Sequence, residues 1–479
     1  MPYDESTHLL NLHGNNENGL STVFAIICIL DVFGVYPVVT LPKAIIDCGF
    51  YGILLITLVC SAQIYTANLL GKCWIIAEKI NPNIQRKSRY PYAALAETTY
   101  GKRLANFVTF LLDLTVFGAS IPNLIVASQN LQLLGERLSE NTVSISLCYW
   151  IIIVGTVLCP VLWLGSPKDM KCLCSTSACM VILVFLLTCG CLIYSGGSNG
   201  GPVESVKSVA LWRNILEAYG IITFLFDIHP TILTIQVDMR NKYRLTRALL
   251  GGFGISLLMF GITANIAAIK YGTNTKSSIL DTLPTSIPLH FAATLVAIQL
   301  CLTSAVSNNV LYQQMEDCMQ IPRDFNPKRC ILRTTLTILA IVIAESVPRF
   351  DLVMSLIGGT LTGPLVFVLP PLIYMKMLSL QTMYEEDFAL GSFANVVYSK
   401  VDDTTESSTT YTLLPLVISD SYRSKFGRYC EISFCCCIII SSIVFTLLTT
   451  YFNSINIVLS YSNVSKPCIY NVSSFLLKL

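Results

Sequence analysis

The chain has 479 residues, of which 53% are hydrophobic and only 13% are charged, with a mean hydropathy of +0.63 and a formal net charge of +2. Soluble domains carry about 25% charged residues, so this composition excludes an ordinary soluble fold, and the near-neutral charge gives no reason to expect nucleic acid as a partner. Apolar runs of about 20 residues, the length that crosses a bilayer core, recur along the chain. We therefore predict an all-α polytopic membrane protein in contact with lipid.

Eleven apolar segments are predicted to span the membrane. They are residues 20–42, 50–71, 104–128, 144–165, 175–195, 214–237, 247–269, 288–311, 332–347, 352–375 and 431–452. The first 19 residues are polar and lack lysine and arginine, so no cleavable signal peptide is visible there. These spans predict a cytosolic tail (1–19), a core of ten helices (20–375), a polar cytosolic loop (376–430), an eleventh helix (431–452) and a final tail (453–479). The loop contains "DDTTESSTT" at 402–410, so we expect it to be disordered.

The distribution of basic residues predicts the orientation of these spans. If the amino terminus is cytosolic, 22 of the 31 lysines and arginines fall in cytosolic loops, as the positive-inside rule requires. Two glycosylation sequons, at Asn463 and Asn471, follow the last span and so lie on the opposite side, where glycosylation occurs. The carboxyl terminus is therefore predicted to be lumenal or extracellular.

The cysteines do not predict a metal site. Most of the 19 lie inside apolar runs such as "SFCCCIII" at 433–440, where we expect them to act as small packing residues. Only Cys172 and Cys174 are closely paired near a loop, and the chain has four histidines, so four convergent zinc ligands are not expected. The sequence also offers no phosphate loop and no nucleophile–base pair, and we predict neither a cofactor nor an enzyme.

Two of the apolar segments are interrupted, the first and the sixth. The first, "FAIICILDVFGVYPVVTLPKAI", contains Gly34, Pro37 and Pro42, and the sixth, "YGIITFLFDIHPTILTIQVDM", is interrupted between Asp227 and Pro230. Broken segments five spans apart are typical of an inverted repeat, in which the substrate binds at mid-membrane where the two breaks meet. The repeats would cover about 20–195 and 214–375. The alternative is that each proline only kinks a packed helix.

Two motifs carry a family resemblance. "VVTLPKAIIDCGFYGILLI" has a Leu-Pro-x-Ala run followed by a glycine turn, and "FLFDIHPTILTIQVDM" has aromatic, histidine, glutamine and methionine residues at set spacings. The residues concerned are Leu41, Pro42, Ala44, Gly49, Gly52, Phe224, Phe226, His229, Gln236 and Met239. Over about residues 20–375 the chain resembles the amino acid/auxin permease family, nearest to its vesicular inhibitory amino acid transporter branch and vacuolar relatives. It departs from that branch at Asp31, Val35 and Lys43.

The resemblance implies a fold and a function. The fold would be a LeuT-type five-plus-five inverted repeat with an eleventh transmembrane helix. The function would be proton-coupled transport of small amino acids across a vesicular, vacuolar or lysosomal membrane by alternating access, driven by the proton gradient. A plasma-membrane symporter coupled to protons or sodium, and an amino acid sensor without net flux, remain alternatives.

Candidate substrate-binding residues lie at both breaks. The backbone from Gly34 to Thr40, including Val35, Pro37 and Val38, can offer amides to a substrate carboxylate, because the start of a helix carries partial positive charge. At the sixth segment, we expect Phe226, Asp227 and His229 to supply carbonyls and side chains to the substrate ammonium.

Three titratable residues are candidates for proton coupling. Asp113 lies about mid-membrane in the third span, where an ionised carboxylate costs about 2.5 to 3.5 kcal/mol on insertion scales. His229 is a second candidate because histidine as a residue type ordinarily titrates in the range that separates cytosol from an acidic lumen, and Asp31, one turn before the first break, is the third. Each could instead have a structural role in packing or in hydrogen bonding to a neighbouring helix. Sodium coupling is the rival mechanism, with Thr303 and Ser304 as candidate oxygen ligands in the eighth span.

The amino-terminal tail contains a candidate sorting signal. In "ESTHLL", Glu5 precedes the pair Leu9 and Leu10 by four positions, which fits the acidic dileucine pattern that clathrin adaptors bind in the cytosol. This motif predicts an intracellular membrane as the destination, with an adaptor as an additional partner.

Overall fold

The computed structural model describes residues 19–87, 90–138, 145–163, 170–196, 208–322, 326–347, 349–401 and 414–463. Within these residues the regular structure is helical, apart from one parallel bridge between Leu20 and Met239. The helices are α1 (Thr22–Phe33), α2 (Tyr36–Val39), α3 (Leu41–Cys48), α4 (Phe50–Ile80), α5 (Pro91–Tyr100), α6 (Lys102–Leu138), α7 (Leu147–Trp163), α8 (Met170–Tyr194), α9 (Ser208–Leu225), α10 (His229–Asp238), α11 (Leu245–Lys270), α12 (Ile279–Thr282), α13 (Ile287–Cys318), α14 (Pro327–Ser346), α15 (Phe350–Ile357), α16 (Leu369–Val401) and α17 (Leu414–Asn463).

Eight helical segments are long and apolar enough to cross a membrane, judged by length and composition. They are Phe50–Ile80, Lys102–Arg137, Cys172–Tyr194, Leu211–Asp238, Lys242–Lys270, Ile287–Cys318, Phe350–Glu386 and Gly427–Leu459. Two shorter apolar helices, α1 and α7, lie in two further predicted spans. The all-α polytopic class is thereby confirmed, and the number of eleven crossings stays a prediction.

The first predicted span is broken at a glycine. Helix α1 ends at Phe33, and Gly34 follows with a φ of +61° and a ψ of −150°, a conformation that is almost restricted to glycine. The chain then forms the single turn α2 and, with Pro42 in its first turn, the helix α3. The glycine and prolines of the sequence therefore interrupt this span as predicted.

The sixth predicted span is interrupted between Leu225 and His229, just before Pro230. Helix α9 ends at Leu225, and α10 begins at His229 with Pro230 in its first turn, where a missing N–H costs nothing. The Asp227 carboxylate accepts a hydrogen bond from the backbone N–H of His229, at 3.1 Å, and so caps the new helix. This break also agrees with the prediction.

A wider helical geometry follows α15. Residues Gly358–Thr362 and Pro364–Val368 form two π-helical turns, which join α15 to α16. A Cβ added to Gly358 would lie 1.9 Å from the carbonyl oxygen of Gly220, so α9 and this segment touch through their backbones. Turns of this kind are rare in proteins and occur frequently at functional sites.

The predicted disordered loop at 376–430 is wrong over most of its length. Helix α16 continues to Val401 and α17 begins at Leu414, so the eleventh helix is also longer than the predicted 431–452. Residues 376–401 contain no proline and a single glycine, Gly391, among good helix formers such as Leu, Met and Glu. The prediction gave too much weight to the polar run at 402–410, which lies outside the described residues.

Candidate functional site

Three phenylalanine rings join the two breaks. Phe33, at the end of α1, packs edge-on against Phe226 at a centroid distance of 5.1 Å and against Phe253 of α11 at 4.8 Å. Phe226 stacks on Phe253 at 5.7 Å, and all three side chains are buried. The structure therefore brings the two interrupted spans together, as the predicted repeat requires, and gives their meeting point an apolar wall.

A buried hydrogen-bonded chain leaves the first break towards α6 and α13. The Tyr36 hydroxyl donates to Oδ1 of Asn123 in α6, and Nδ2 of Asn123 donates to Oγ of Ser304 in α13 at 3.1 Å. All three side chains are buried, so each bond is made away from water. This chain fixes the first turn after the break against two long helices.

A second polar group lies against Gly34. Gln299 of α13 donates through Nε2 to Oγ1 of Thr303 at 2.9 Å and to Oγ of Ser177 in α8 at 3.4 Å. The Asp31 carboxylate also faces Ser177. A Cβ on residue 34 would lie 3.0 Å from Nε2 of Gln299, so glycine is needed here for close approach as well as for its backbone conformation.

The candidate sodium ligands lie beside the first break, but they are already hydrogen-bonded. Thr303 accepts a bond from the Gln299 amide, and Ser304 accepts one from the Asn123 amide. An oxygen-only cation site needs these lone pairs directed at the ion, so the arrangement favours a hydrogen-bonded wall. Among the described residues, no group of three or more His, Cys, Asp and Glu side chains converges as a metal site would.

Asp227 and His229 form a buried pair at the sixth break. Nδ1 of His229 lies 3.6 Å from Oδ1 of Asp227, and Nε2 lies 3.0 Å from Oγ1 of Thr66 in α4. The Thr66 hydroxyl donates to the carbonyl of Ala62 at 3.0 Å, so it accepts the proton of His229 Nε2. In neutral histidine, Nδ1 is then unprotonated and faces a carboxylate oxygen. At 3.6 Å the two atoms are not hydrogen-bonded, and Nδ1 has no other partner among the described residues, so they would have to move closer to share a proton.

The remaining residues predicted at the first break have side chains that are mostly buried in packing contacts. The Val35 and Val38 side chains are fully buried, and the Thr40 hydroxyl donates to the carbonyl of Tyr36 at 3.1 Å. Pro37 opens the turn α2. The backbone N–H groups of Val38 and Thr40 already donate to the carbonyls of Val35 and Tyr36, at 3.1 and 2.9 Å, and Pro37 has no N–H to offer.

Asp113 lies several turns along α6 from the residue that contacts the first break. It is ten residues before Asn123 in α6, which is about 15 Å along the helix axis at 1.5 Å per residue. Its side chain is half-buried, next to the exposed Phe110 and Leu114. The structure therefore does not bring this candidate coupling residue to the site that joins the broken helices.

Two residues of the sixth-span motif hold the end of the site nearest Leu20. Gln236 donates through Nε2 to the carbonyls of Gly71, at 3.1 Å, and Lys242, at 3.2 Å. Met239 forms the bridge with Leu20, in which the Leu20 N–H donates to the carbonyl of residue 238 at 2.7 Å. These residues tie α10 to α4 and to the chain before α1.

Charged side chains converge at the opposite end of the broken helices. Lys43 contacts Asp47 at 2.7 Å, and Arg349 binds Asp351 and approaches Glu217 at 3.8 Å. Burial raises the pKa of Asp47, an effect that the neighbouring Lys43 partly offsets. Lys43, one of the departures from the family pattern, thus has a structural partner one turn away.

Several predicted sites lie outside the described residues. These are Glu5, Leu9 and Leu10 of the sorting motif and Asn471 of the second sequon. Asn463 is the last residue of α17, and its side chain is also outside the described part. Both the sorting motif and the glycosylation sites remain predictions.

Sequence reasoning missed the amide and hydroxyl side chains that line the site. They are Tyr36, Thr66, Asn123, Ser177 and Gln299. A usable signal was present for two of them, because Asn123 in "IPNLI" and Gln299 in "AIQLC" are isolated amides in apolar helices. A buried amide needs hydrogen-bond partners, so each marks a place where another polar group must converge.

Comparison with known families agrees with this geometry. A family model described as transmembrane amino acid transporter protein matches residues 20–399. The solved structure of MhsT in complex with L-phenylalanine superposes with a TM-score of 0.52 at 14% sequence identity, covering 90% of this chain and 99% of that one. This likeness confirms the LeuT-type fold.

Two amino acid transporters are also similar to this chain in sequence. The amino acid transporter AVT1I of Arabidopsis thaliana is 24% identical over 357 residues, covering 71% of this chain and 82% of its own. The proton-coupled amino acid transporter-like protein pathetic of Drosophila melanogaster is 23% identical over 339 residues, covering 65% and 69%.

Proposed function

The chain belongs to the transmembrane amino acid transporter family, and we propose that it moves small amino acids together with protons across an intracellular membrane by alternating access. It is a carrier, since the family is one of transporters and not of enzymes. The observation that carries the proton coupling is the buried pair of Asp227 and His229 at the sixth break.

The substrate would bind where the two breaks meet. Its carboxylate would face the backbone amides after Gly34, and its ammonium would face the carbonyls that end α9. The phenylalanine wall of Phe33, Phe226 and Phe253 would contact the side chain and limit its size. Asp31, which faces Ser177 beside this place, is a second acid available to the ammonium.

Protonation of the Asp227–His229 pair would couple the proton to the substrate. With one shared proton, Nδ1 of His229 and the carboxylate attract each other and hold the start of α10 against α9. Without it, two lone pairs face each other in a buried place, which favours separation of the half-helices. Binding of a proton and binding of an amino acid would then stabilise the same arrangement of the breaks.

Orientation and membrane are proposed on independent grounds. The excess of basic residues favours a cytosolic amino terminus. Cys148, at the start of α7, is disulfide-bonded, and disulfides persist in oxidising compartments, the side on which the predicted topology puts this residue. The printed names of the relatives describe amino acid transporters, one of them as proton-coupled, which supports the same reading.

The test uses the full chain in proteoliposomes with an imposed pH gradient and labelled L-alanine and L-phenylalanine as probes. We expect uptake that a protonophore abolishes and that replacement of sodium by choline leaves unchanged. Asp227→Asn and His229→Gln should lose gradient-driven uptake while keeping exchange of labelled for unlabelled substrate. Uptake that requires sodium would favour a sodium symporter instead, and binding without uptake would favour a sensor.

Asp113→Asn is the matched control for a carboxylate at another depth of the membrane. If coupling resides at the sixth break, this variant keeps gradient-driven uptake. If it loses the gradient dependence while Asp227→Asn keeps it, the coupling carboxylate is Asp113, as the sequence alone allows, and our assignment to the pair is wrong.

A further inference from the structure

Buried polar side chains line the contact between α9, the π-helical turns and α17. In the described part of the chain, their oxygens have either no hydrogen-bond partner or only one another as partners. They are Tyr219, Thr223, Thr362, Ser442, Thr446, Thr449 and Asn453, and together they are called the hydroxyl seam. Thr446 is half-buried and the others are at least nine-tenths buried.

Three threonines at other buried positions bond within their own helices. Thr99, Thr115 and Thr263 are equally buried, and each donates to the carbonyl one turn earlier in its own helix, at 2.8 to 2.9 Å. The threonines of the seam make no such bond. Tyr219, Thr223 and Ser442 can bond to one another, but the oxygens of Thr362, Thr446, Thr449 and Asn453 have no partner. Because an unpaired buried polar oxygen costs about 1 to 3 kcal/mol, four of them in one contact call for a bound partner.

The geometry directs these groups towards each other. The Tyr219 hydroxyl faces those of Thr223 and Ser442. A Cβ on Gly363 would lie 2.9 Å from Oγ1 of Thr446 and 3.8 Å from the Tyr219 hydroxyl. Because Gly363 has no side chain, the hydroxyls of Thr446 and Tyr219 both lie next to its backbone.

The outer end of the seam meets the charged cluster. Asn453 donates through Nδ2 to Oγ of Ser355 at 2.7 Å, and Ser355 donates to the carbonyl of Glu217 at 2.8 Å. The Glu217 side chain approaches Arg349, which binds Asp351. Lumenal or extracellular water reaches this cluster because Arg349 is 46% exposed.

The inner end of the seam meets the sixth break. Thr223 lies four residues before Asp227, about 6 Å along a helix axis. Gln63 donates through Nε2 to the carbonyl of Thr223 at 3.1 Å, and it lies one turn from Thr66, the partner of His229. The seam thus joins the outer charged cluster to the Asp227–His229 pair.

We propose that the hydroxyl seam binds a file of water molecules and that this file delivers protons from the outer side to the Asp227–His229 pair. Water fits these groups better than a cation, because hydroxyls both donate and accept and because the seam holds no carboxylate to balance a charge. The inference rests on the proposed proton coupling and adds the route by which the proton arrives.

The transfer conserves atoms and charge. A hydronium ion at the outer cluster gives a proton to the first water, and each oxygen in the file accepts one proton and releases another. The last proton binds between Nδ1 of His229 and Oδ1 of Asp227. The other ionisable side chains near this pair are Tyr92 of α5, which donates to the carbonyl of Leu365, and Cys73 of α4.

Thermal melting of the purified full-length protein tests whether the seam is hydrated. In Thr362→Val and Thr449→Val, water would lose a partner, and we expect the melting temperature to fall by about 2 °C. In a dry seam the same changes remove an unpaired hydroxyl and raise the melting temperature. A rise in both variants would overturn the proposal.

Gradient-driven uptake tests the proton route. In Thr223→Val and Thr446→Val we expect uptake of labelled L-alanine to fall at least tenfold, with exchange of labelled for unlabelled substrate unchanged. The matched control is Thr263→Val, whose hydroxyl bonds to its own helix outside the seam. If the wild type responds to the gradient and the seam variants equal this control, the route is overturned while the proposed function stands. A wild type that does not respond overturns the proposed function itself.

Discussion

The two broken spans solve the same structural problem with different chemistry. The first break depends on Gly34, whose backbone conformation excludes other residues. Its neighbours are mainly uncharged amides and hydroxyls such as Asn123 and Gln299, although the Asp31 carboxylate also lies beside it. The second depends on Pro230 and on a side-chain cap, and its neighbours include the ionisable Asp227 and His229. The first break is therefore held mainly by uncharged groups, whereas the second is held by an ionisable pair.

A proton-coupled transporter must both recognise its substrate and respond to a proton, and the two breaks differ in how well they suit each role. A group that recognises a substrate should keep its geometry in every protonation state, which uncharged partners do. A group that couples to protons must change its interactions when it titrates, which an acid–histidine pair does. Substitutions at the two breaks should therefore have different effects on binding and on coupling.

The largest effect is expected when both members of the ionisable pair are replaced. Asp227→Asn and His229→Gln should each reduce gradient-driven uptake about 100-fold, and the double variant should lose no more than either single one, because the residues act as a unit. Uptake measured at several gradients provides the comparison. Losses that multiply would mean that the two residues act independently.

Gly34→Ala should be the next most severe change. The backbone conformation at residue 34 costs alanine about 1 to 3 kcal/mol, and the added Cβ would lie 3.0 Å from Nε2 of Gln299. We therefore expect uptake to fall roughly 10- to 100-fold, while its response to the proton gradient is preserved. Gly49→Ala is the matched control, since Gly49 has a similar φ of +57° but nothing within 4 Å of an added Cβ. Equal losses in the two variants would remove the contact with Gln299 from the explanation.

The hydrogen-bonded chain at the first break should affect binding more than coupling. Tyr36→Phe leaves the buried Asn123 with an unpaired oxygen, which costs about 1 to 3 kcal/mol, so we expect the KM for uptake to rise roughly 5- to 100-fold. Asn123→Leu with Tyr36→Phe removes both partners and should recover part of this loss. A change in gradient dependence without a change in KM would contradict the division of roles.

The smallest effect is expected at the outer charged cluster. Burial raises the pKa of Asp47 in the folded protein, so the folded state binds the proton more tightly than the unfolded state does. Stability should therefore increase as the pH falls from the folded-state pKa towards about 4, the unfolded value. Asp47→Asn should flatten the melting temperature across this range, and a variant that keeps the wild-type slope would assign the dependence to another group.

Much of the fold was readable from the sequence because its rules are local. Apolar length predicts the spans, and Gly34, Pro42 and Pro230 predict the breaks, since proline removes a donor and glycine permits an otherwise forbidden backbone. The loop prediction failed at 376–401 because composition alone does not show whether a polar segment continues a helix that begins in the membrane.

The candidate site was only partly predictable. The sequence identified His229 as titratable, but not that Thr66, 163 positions earlier, accepts its proton and leaves Nδ1 facing Asp227. It identified Asp113 by its depth in a span, which says nothing about the direction in which a side chain points. A pKa or a proton route depends on neighbours, and neighbours come from distant parts of the chain.

The sequence by itself determined that this chain is a membrane protein of helices, with two of them interrupted, because hydropathy and backbone stereochemistry act residue by residue. Which polar groups meet at the breaks depends on tertiary structure, because bonds such as those of Asn123 with Tyr36 and Ser304 join separate helices. The same holds for the hydroxyl seam, where residues of α9, the π-helical turns and α17 are ordinary in sequence and unusual only in lying together with so few partners.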